Sequence, residues 1–256
     1  MRLLRLHHRD RVYWASLEDE ATARLWTGAP WEDGKPTDRL VPLREGALRA
    51  PVAPSKIVCV GRNYRAHAAE LGNPVPAEPL LFLKPPSALM GTGQTIAWPA
   101  ASERVDYEGE IAIVIGRELH HASEELAIAS VFGVTCANDV TARDLQKKDV
   151  QFTRAKGFDT FCPCGPWIET DYGPLGALRV RTRVDGALRQ DGSSADMIFP
   201  IASLLSYVST VMTLSPGDLV LTGTPEGVAP LEAGQSVEIE VDGVGVLRSL
   251  VGARGA

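Results

Sequence analysis

The sequence predicts a strand-dominated α+β fold, and three observations support this prediction. Short apolar runs, most of them four to eight residues long and rich in β-branched side chains, recur from Lys56 to the C-terminus, as is typical of strands. The 24 glycines and 18 prolines show no period, so they indicate frequent turns and not a collagen-like or low-complexity chain. Segments with helical periodicity are few and short, which gives helices a minor share of the fold.

The N-terminal quarter differs in composition from the rest of the chain. Met1–Leu6 and Arg11–Leu17 predict two short strands, and residues 27–55 then contain five prolines among scattered charges. Such a change of composition is typical of a small appended unit followed by a linker. We therefore expect a small N-terminal domain and linker over residues 1–55 and the main domain over residues 56–256.

The main domain alternates predicted strands with a few predicted helices. Its strands are the runs KIVCV, LLFL, TIAW, EIAIVIG, VFGVTCA, LRVRTRV, LVLTG, SVEIEV and VGVLRSLV. Two Asp-Gly pairs, Asp185-Gly186 and Asp242-Gly243, predict tight hairpin turns. Capping residues and helical spacing predict helices over Tyr64–Leu71, Ser123–Ser130, Thr141–Lys148 and Pro200–Val211.

Charge and composition argue against several classes of protein. The net charge is −6 and no long basic run occurs, which argues against nucleic-acid binding. The longest apolar stretch, Ile111–Ile115, is far shorter than the roughly 20 residues of a membrane helix. The basic N-terminus lacks the apolar segment of a secretory signal, so we expect a cytoplasmic protein. The four cysteines are Cys59, Cys136, Cys162 and Cys164. They are not spaced for zinc or for a redox pair, and for the three that lie in apolar segments we expect a buried reduced thiol.

Three acidic residues form the main candidate for chemistry. The segment DYEGE at residues 106–110 leads into an apolar strand, and residues two apart in a strand share a face, so Glu108 and Glu110 point the same way. Such a pair raises the pKa of both carboxyls unless a cation lies between them. Asp139 ends another predicted strand, and three carboxylates would suit Mg²⁺ or Mn²⁺. A charged strand edge and a capping acid are the alternatives, and spacing alone does not show that the three meet.

A histidine and several cations are further candidates. His67 and Glu70 lie three residues apart on a predicted helix, where a carboxylate can orient an imidazole as a general base; a surface ion pair is the plainer alternative. Arg143, Gln146 and Lys156 could bind an anionic substrate, although each alone is an ordinary surface residue. The chain has no GxxxxGK[ST], strand–GxGxxG–helix, GxSxG or HExxH motif, which argues against nucleotide hydrolysis, dinucleotide redox chemistry and serine-esterase chemistry.

Taken in order, six segments of the chain resemble the fumarylacetoacetate hydrolase superfamily, in the branch of the 2-hydroxyhepta-2,4-diene-1,7-dioate isomerases and acylpyruvate hydrolases. They are CVGRNYRAHAAELG, LLFLKPPSAL, DYEGEIAIVIG, FGVTCANDVTARDLQ, KGFDTFCPCGPWI and GDLVLTGTPEGV. The resemblance runs from about Lys56 to the C-terminus. It implies a mixed β-roll or β-sandwich core over residues 56–256, a homodimer, and a site for Mg²⁺, Mn²⁺ or Ca²⁺.

The resemblance also implies roles for particular residues. Glu108, Glu110 and Asp139 match the metal ligands of the family. His67 and Glu70 match its catalytic dyad on a mobile lid. The remaining matches are residues that hold the carboxylate or enolate oxygens of the substrate, with Lys156 also counted as catalytic: Arg143, Gln146, Lys156 and Thr224.

The expected function is therefore metal-dependent formation of an enolate from a 2-oxo acid. Hydrolysis of a C–C bond in an acylpyruvate or fumarylpyruvate, as in the breakdown of aromatic compounds, is the first expectation, because attack by water needs a base and the His67–Glu70 pair would provide one. Isomerisation of 2-hydroxyhepta-2,4-diene-1,7-dioate and decarboxylation of an oxaloacetate-type acid are the alternatives. A catalytically silent module that binds a dicarboxylate or a metal is a more remote one.

Overall fold

A computed structural model describes residues 1–70, 72 and 74–255. Its strands are β1 Arg2–His8, β2 Arg11–Leu17, β3 Thr22–Trp26, β4 Pro36–Pro42, β5 Gly46–Arg49, β6 Ile57–Gly61, β7 Leu80–Lys84, β8 Leu89–Met90, β9 Gln94–Trp98, β10 Val105–Asp106, β11 Gly109–Ile115, β12 Val131–Asn138, β13 Thr141–Ala142, β14 Cys162–Glu169, β15 Arg179–Val184, β16 Ala187–Ser193, β17 Leu219–Leu221, β18 Ser236–Val241 and β19 Gly245–Arg254. Its helices are α1 Arg65–Glu70, α2 Glu124–Ala129, α3 Arg143–Lys148, α4 Thr153–Lys156 and α5 Ile201–Val211.

The strands form one large sheet, one smaller sheet and a short pair. The 12-stranded sheet has the order β4-β3-β2-β1-β14-β12-β11-β17-β6-β7, with β5 paired to β1 and β8 paired to β14. The 5-stranded sheet has the order β16-β15-β18-β19-β9, and β10 pairs with β13. This mixture of sheets with short helices confirms the predicted strand-dominated α+β class.

The central strand β11 is buried on both faces. Ile111 and Ile113 belong to a core that the smaller sheet covers, whereas Ala112 and Val114 face a second core on the opposite side of the large sheet. Burial of both faces removes the need for polar residues at alternate positions, which is why this segment is a continuous apolar run in the sequence. At the start of this strand the polar residues Glu108 and Glu110 are buried as well.

The predicted helices are present, with small differences at their ends. The first begins at Arg65, and its predicted end, Leu71, lies outside the described residues. Helix α3 begins at Arg143 and not at Thr141, because Thr141 and Ala142 pair with β10. Ala142 is the N-cap of α3 and makes no side-chain capping bond.

Several elements were not predicted. Strands β3, β4 and β5 lie in the segment that was assigned to the appendage and linker, and they join the large sheet. Pro36 and Pro42 are the first and last residues of β4, positions at the ends of a strand where a missing N–H is tolerated. Strand β14 and the single turn α4 were also missed. Among the described residues, no helix has the length and apolarity needed to cross a membrane.

Candidate active site

The three acidic residues meet because two strands pair. Strand β11 is antiparallel to β12, with Gly109 opposite Asn138, so the start of one strand lies beside the end of the other. The pairing continues past the strand ends, where the Asp139 N–H donates to the Glu108 carbonyl at 2.8 Å. The side chains of Glu108, Glu110 and Asp139 are buried, and one oxygen from each lies within 4.8 Å of the others. The register of the sheet thus brings together two separate stretches of sequence.

Two buried lysines pair with this acidic cluster. Lys156, at the end of α4, donates to Glu108 Oε2 at 2.9 Å, to Asp139 Oδ2 at 2.5 Å and to the Thr141 hydroxyl at 2.8 Å. Lys84, the last residue of β7, donates to Asp139 Oδ1 at 2.6 Å. Burial alone would lower the pKa of Lys156, but the Asp139 and Glu108 carboxylates outweigh burial and raise it, so this ammonium group stays charged.

Glu110 has no cationic partner among the described residues. Its Oε2 accepts a hydrogen bond from the backbone N–H of Gly223 at 2.7 Å. Burial, followed by repulsion from Asp139 and Glu108, raises the pKa of Glu110 well above its usual value. Gly223 has φ of 102°, and a Cβ at this position would lie 2.7 Å from the Cβ of Asn63, so only glycine fits the backbone that donates to Glu110.

Arg143 links the acidic cluster to a fourth buried acid. Its Nη2 donates to Glu108 Oε1 at 2.5 Å, its Nε to Asp106 Oδ2 at 2.9 Å and its Nη1 to Gln146 Oε1 at 2.7 Å. Burial would raise the pKa of Glu108, but the charges of Lys156 and Arg143 outweigh burial and lower it. Glu108 is thus held as a carboxylate, and the guanidinium of Arg143 is fixed on three sides.

The predicted histidine dyad lies at the same site. Helix α1 follows β6 closely and carries His67, which is 4% exposed. His67 Nδ1 lies 3.4 Å from Glu70 Oε2, and the Gly227 N–H donates to both Glu70 oxygens at 3.0 and 3.2 Å. This contact suits a ring in which Nδ1 carries the proton and Nε2 is the basic nitrogen. Glu70 thereby ties α1 to the loop that follows β17.

Thr224 also borders the site, but its hydroxyl is engaged elsewhere. It donates to the carbonyl of Gly109 at 2.9 Å and accepts from Gln190 Nε2 at 2.8 Å. Its proton is therefore directed at the protein backbone and not at the space above the carboxylates. Gln146 accepts from Arg143 through Oε1, which leaves its amide NH₂ as a hydrogen-bond donor.

A cavity of about 260 Å³ lies above the acidic cluster. Its walls combine charged groups with a patch of apolar side chains. They are formed by Val60, Gly61, Arg62, His67, Leu80, Phe82, Glu108, Glu110, Asp139, Arg143, Gln146, Lys147, Phe152, Lys156 and Thr224. The structure thus brings all the sequence-predicted site residues except Glu70 into the wall of one cavity, and Glu70 contacts His67 from outside it.

The donor set fits a hard divalent cation. Three carboxylates with oxygens this close are the ligands that Mg²⁺, Mn²⁺ and Ca²⁺ prefer. The raised pKa of Glu110 results in part from its two acidic neighbours, and a cation beside Glu110 would relieve that repulsion. Glu108, Glu110 and Asp139 are therefore the residues that would hold the ion.

Sequence reasoning missed three residues of the site. Lys84 and Asp106 are both fully buried. Lys84 forms an ion pair with Asp139, and Asp106 forms one with Arg143. The sequence did contain a signal for both residues, because Lys84 ends an apolar run and Asp106 precedes one. Charged residues next to such runs are buried almost only when they are paired. Arg62 lines the cavity and has no distinguishing neighbour in the sequence.

Comparisons with known proteins place these observations in context. The profile of the fumarylacetoacetate hydrolase C-terminal family matches residues 56–252, and the profile of the Rv2993c-like N-terminal family matches residues 1–51. The chain is 44% identical to Protein Rv2993c of Mycobacterium tuberculosis over 263 aligned positions, which cover 100% of this chain and 99% of that protein.

Two further relatives are named for an activity. The oxaloacetate tautomerase YisK of Bacillus subtilis is 42% identical, with 91% of this chain and 83% of YisK covered. The crystal structure of 2-hydroxyhepta-2,4-diene-1,7-dioate isomerase from Mycobacterium marinum is 45% identical and superposes with a TM-score of 0.90 over 99% of this chain and 98% of that one.

Proposed function

The chain belongs to the fumarylacetoacetate hydrolase family, and from this premise we propose that it is a divalent-metal-dependent enzyme that interconverts the keto and enol forms of a 2-oxo acid. The observation that carries the proposal is the meeting of three buried carboxylates with His67 in one cavity. The names of two relatives, an oxaloacetate tautomerase and a dienedioate isomerase, support proton transfer as the reaction and a dicarboxylic 2-oxo acid as the substrate.

Glu108, Glu110 and Asp139 would hold Mg²⁺ or Mn²⁺, which when bound supplies positive charge to stabilise an enolate oxygen. Lys156 adds a second positive charge beside the same carboxylates. Since both lie in a buried site, where water screens charge poorly, their effect on a developing oxyanion is larger than it would be at the surface.

His67 is the proposed base. Its Nε2 would take a proton from C3 of the substrate, while Glu70 accepts the Nδ1–H and stabilises the imidazolium that forms. Return of that proton to the 2-oxo oxygen gives the enol, and return to C3 gives the keto form. The hydrogen bonds from Gly227 to Glu70 hold the dyad against the site during this transfer.

The amide of Gln146 and the guanidinium of Arg143 are proposed to orient the substrate carboxylate. Arg143 is fixed by Asp106, Glu108 and Gln146, so its position is set before the substrate arrives. Pre-organisation of this kind lowers the cost of binding and orientation. Thr224 contributes by holding the backbone of Gly109, which lies between the two glutamates.

Hydrolysis of a C–C bond is a second candidate, and the oriented His67–Glu70 pair favours it. In this reaction His67 takes a proton from water, and the resulting hydroxide attacks the C4 carbonyl of an acylpyruvate. The C3–C4 bond then breaks, so that a carboxylic acid and the enolate of pyruvate leave. Both candidates need the same base and the same stabilisation of an enolate.

Two measurements test the proposal and separate the candidates. In D₂O with Mg²⁺, a tautomerase exchanges the C3 protons of oxaloacetate faster than the metal-only background, and the exchange stops with EDTA. Mass spectrometry of reactions with acetylpyruvate detects acetate and pyruvate if hydrolysis occurs, and with oxaloacetate it detects pyruvate if decarboxylation occurs. Absence of exchange, cleavage and decarboxylation would refute an enzyme of this type.

A further inference from the structure

Two cations at the cavity are not used by the chemistry above. We propose that Arg62 and Lys147 form a subsite for the second carboxylate of a dicarboxylic 2-oxo acid, and that they make the enzyme select a dianion over a monoanion. The inference rests on the proposed function, because it assumes that the first carboxylate is held at the acidic cluster. In this proposal the second carboxylate is the feature by which the enzyme selects its substrate, and Arg62 and Lys147 are the residues that recognise it.

The deep cations are already paired with carboxylates of the protein. Lys156 donates to two carboxylates and a hydroxyl, and Arg143 donates to two carboxylates and an amide. Lys84 is bound to Asp139. Among the residues that the structure describes, Arg62 and Lys147 have no carboxylate within ion-pair distance, although both line the cavity. They are therefore the cavity cations that no carboxylate of the described residues pairs with.

Arg62 is held in place by its backbone. It follows β6 with φ of 57°, in the left-handed region that non-glycine residues rarely adopt. The next residue fixes this turn, since the Asn63 side chain donates to the carbonyls of Phe199 at 3.1 Å and Thr222 at 2.8 Å and accepts from the Phe199 N–H at 2.9 Å. A strained conformation that is anchored in this way is often found at a functional site. Here it sets a half-buried arginine against the cavity.

Lys147 reaches the cavity from the opposite element. It lies on α3 four residues after Arg143 and one after Gln146, so the three side chains share one face of that helix. All three line the cavity, and their exposure increases along the helix from buried Arg143 through half-buried Gln146 to exposed Lys147. Donors on this face thus extend from the acidic cluster to the mouth.

An apolar wall lies on the same cavity. Leu80 and Phe82 share one face of β7, and the rings of Phe82 and Phe152 make an edge contact with centroids 5.6 Å apart. The Phe82 ring also lies 4.9 Å from Lys156 Nζ. The cavity thus has charged groups at its deep end beside the carboxylates, an apolar wall, and the cations Arg62 and Lys147 at its mouth. This arrangement suits a ligand with two charged ends joined by a short carbon chain.

The test uses two acids that differ only at the far end. Oxaloacetate carries a carboxylate where 2-oxobutanoate carries a methyl group, and both have exchangeable C3 protons that NMR can follow in D₂O. For Arg62→Gln we expect kcat/KM for oxaloacetate to fall about 10- to 100-fold, mostly through KM, because a charge-assisted hydrogen bond is lost. The value for 2-oxobutanoate should change less than about twofold. Lys147→Gln should give a smaller loss of the same kind, since this lysine is exposed and screened.

Matched controls separate a local contact from a general effect of charge. Arg65→Gln and Lys148→Gln remove the same charge from neighbouring exposed positions that do not line the cavity. We expect both to keep the wild-type preference for the dianion. An equal loss for both acids in Arg62→Gln, no loss for either, or the same loss in the controls would overturn the subsite.

Failure of the proposed function gives a different pattern. If the wild-type protein exchanges the C3 protons of neither acid, the enolisation proposal fails, and calorimetric titration of the Mg²⁺-loaded protein with the same two acids then tests the subsite alone. Tighter binding of oxaloacetate than of 2-oxobutanoate, lost in Arg62→Gln and kept in Arg65→Gln, supports it. Equal affinity of the wild-type protein for the two acids overturns it.

Discussion

Replacement of Glu110 by glutamine tests whether the acidic cluster binds a metal ion. The amide side chain in Glu110→Gln would keep an oxygen for the Gly223 N–H, but the substitution would remove one of the three carboxylates. A ligand at a concentration 100 times its Kd stabilises a protein by about 2.7 kcal/mol, which corresponds to a rise in Tm of about 5–11 °C for a chain of this size. We expect this rise on addition of Mg²⁺ to the wild-type protein and almost none in Glu110→Gln.

The same variant has a second signature without metal. Because the pKa of Glu110 is raised in the folded state, its contribution to stability is present below the ordinary glutamate pKa of about 4.3 and is lost as the pH rises through the raised value. Glutamine does not ionise, so Glu110→Gln does not lose this stability as the pH rises. At pH 8 with EDTA, Glu110→Gln should therefore melt at the wild-type Tm or above it, and the advantage should shrink toward pH 4.

Thermal melts by circular dichroism, with Mg²⁺ and with EDTA at several pH values, measure both effects. Glu103→Gln, whose side chain is 81% exposed, is the control and should behave as the wild type. An equal rise in Tm with Mg²⁺ in the wild type and in Glu110→Gln would refute the assignment of Glu110 as a ligand. A lower Tm of Glu110→Gln with EDTA at pH 8 would refute the reasoning about its pKa.

Three other substitutions separate catalysis, positioning and charge balance. His67→Gln should lower the rate of C3 exchange by about 10²- to 10⁴-fold and leave the rise in Tm with Mg²⁺ unchanged; retained activity would exclude His67 as the base. Asp106→Asn removes a buried partner of Arg143, so urea denaturation should show a loss of about 3–5 kcal/mol, and an unchanged value would show that this ion pair is not needed. Lys84→Met leaves Asp139 with one cation, so its Tm should fall with EDTA and recover partly with Mg²⁺, whereas equal losses in both buffers would contradict the role in charge balance.

Secondary structure could be predicted from the sequence where one pattern of apolar residues dominates a segment. Continuous apolar runs predicted the buried strands β11 and β12, and an Asp-Gly pair predicted the turn between β18 and β19. Strand β14 was missed because Gly165 and two prolines interrupt CPCGPWIE, and the structure accommodates Gly165 and Pro166 where the register between β12 and β14 shifts. Proline at strand ends likewise hid β4. These misses share one cause, since tertiary pairing decides whether an interrupted run is a strand.

The site could be predicted in its components but not in its assembly. The two-residue period of a strand predicted that Glu108 and Glu110 share a face. The position of Asp139 at the end of a predicted strand made it a candidate third ligand. Their meeting depends on the antiparallel register of β11 and β12, which a single sequence does not specify. Lys84 lies 55 residues from Asp139 in the chain, and no local pattern connects them. The division near residue 55 and the roles of individual site residues stay predictions.

The position of Lys156 implies that metal binding and this lysine are in competition. Lys156 donates to Glu108 Oε2 and Asp139 Oδ2, and a divalent cation would need oxygens of the same carboxylates. The positive charge of Lys156 also opposes a second cation nearby. Lys156→Met should therefore destabilise the metal-free protein by about 3–5 kcal/mol, since two buried carboxylates lose a partner, yet Mg²⁺ should raise its Tm by more than it raises that of the wild type.

This outcome would separate two roles that a loss of activity cannot distinguish. If Lys156 served only to hold the acidic cluster together, Mg²⁺ would replace it, and Lys156→Met with saturating Mg²⁺ would recover both the wild-type Tm and the rate of C3 exchange. If Lys156 also stabilises the enolate oxygen, the Tm recovers and the rate does not. A smaller rise in Tm with Mg²⁺ in Lys156→Met than in the wild type would refute the competition. The comparison thus measures directly whether a buried lysine beside three carboxylates acts on the protein or on the substrate.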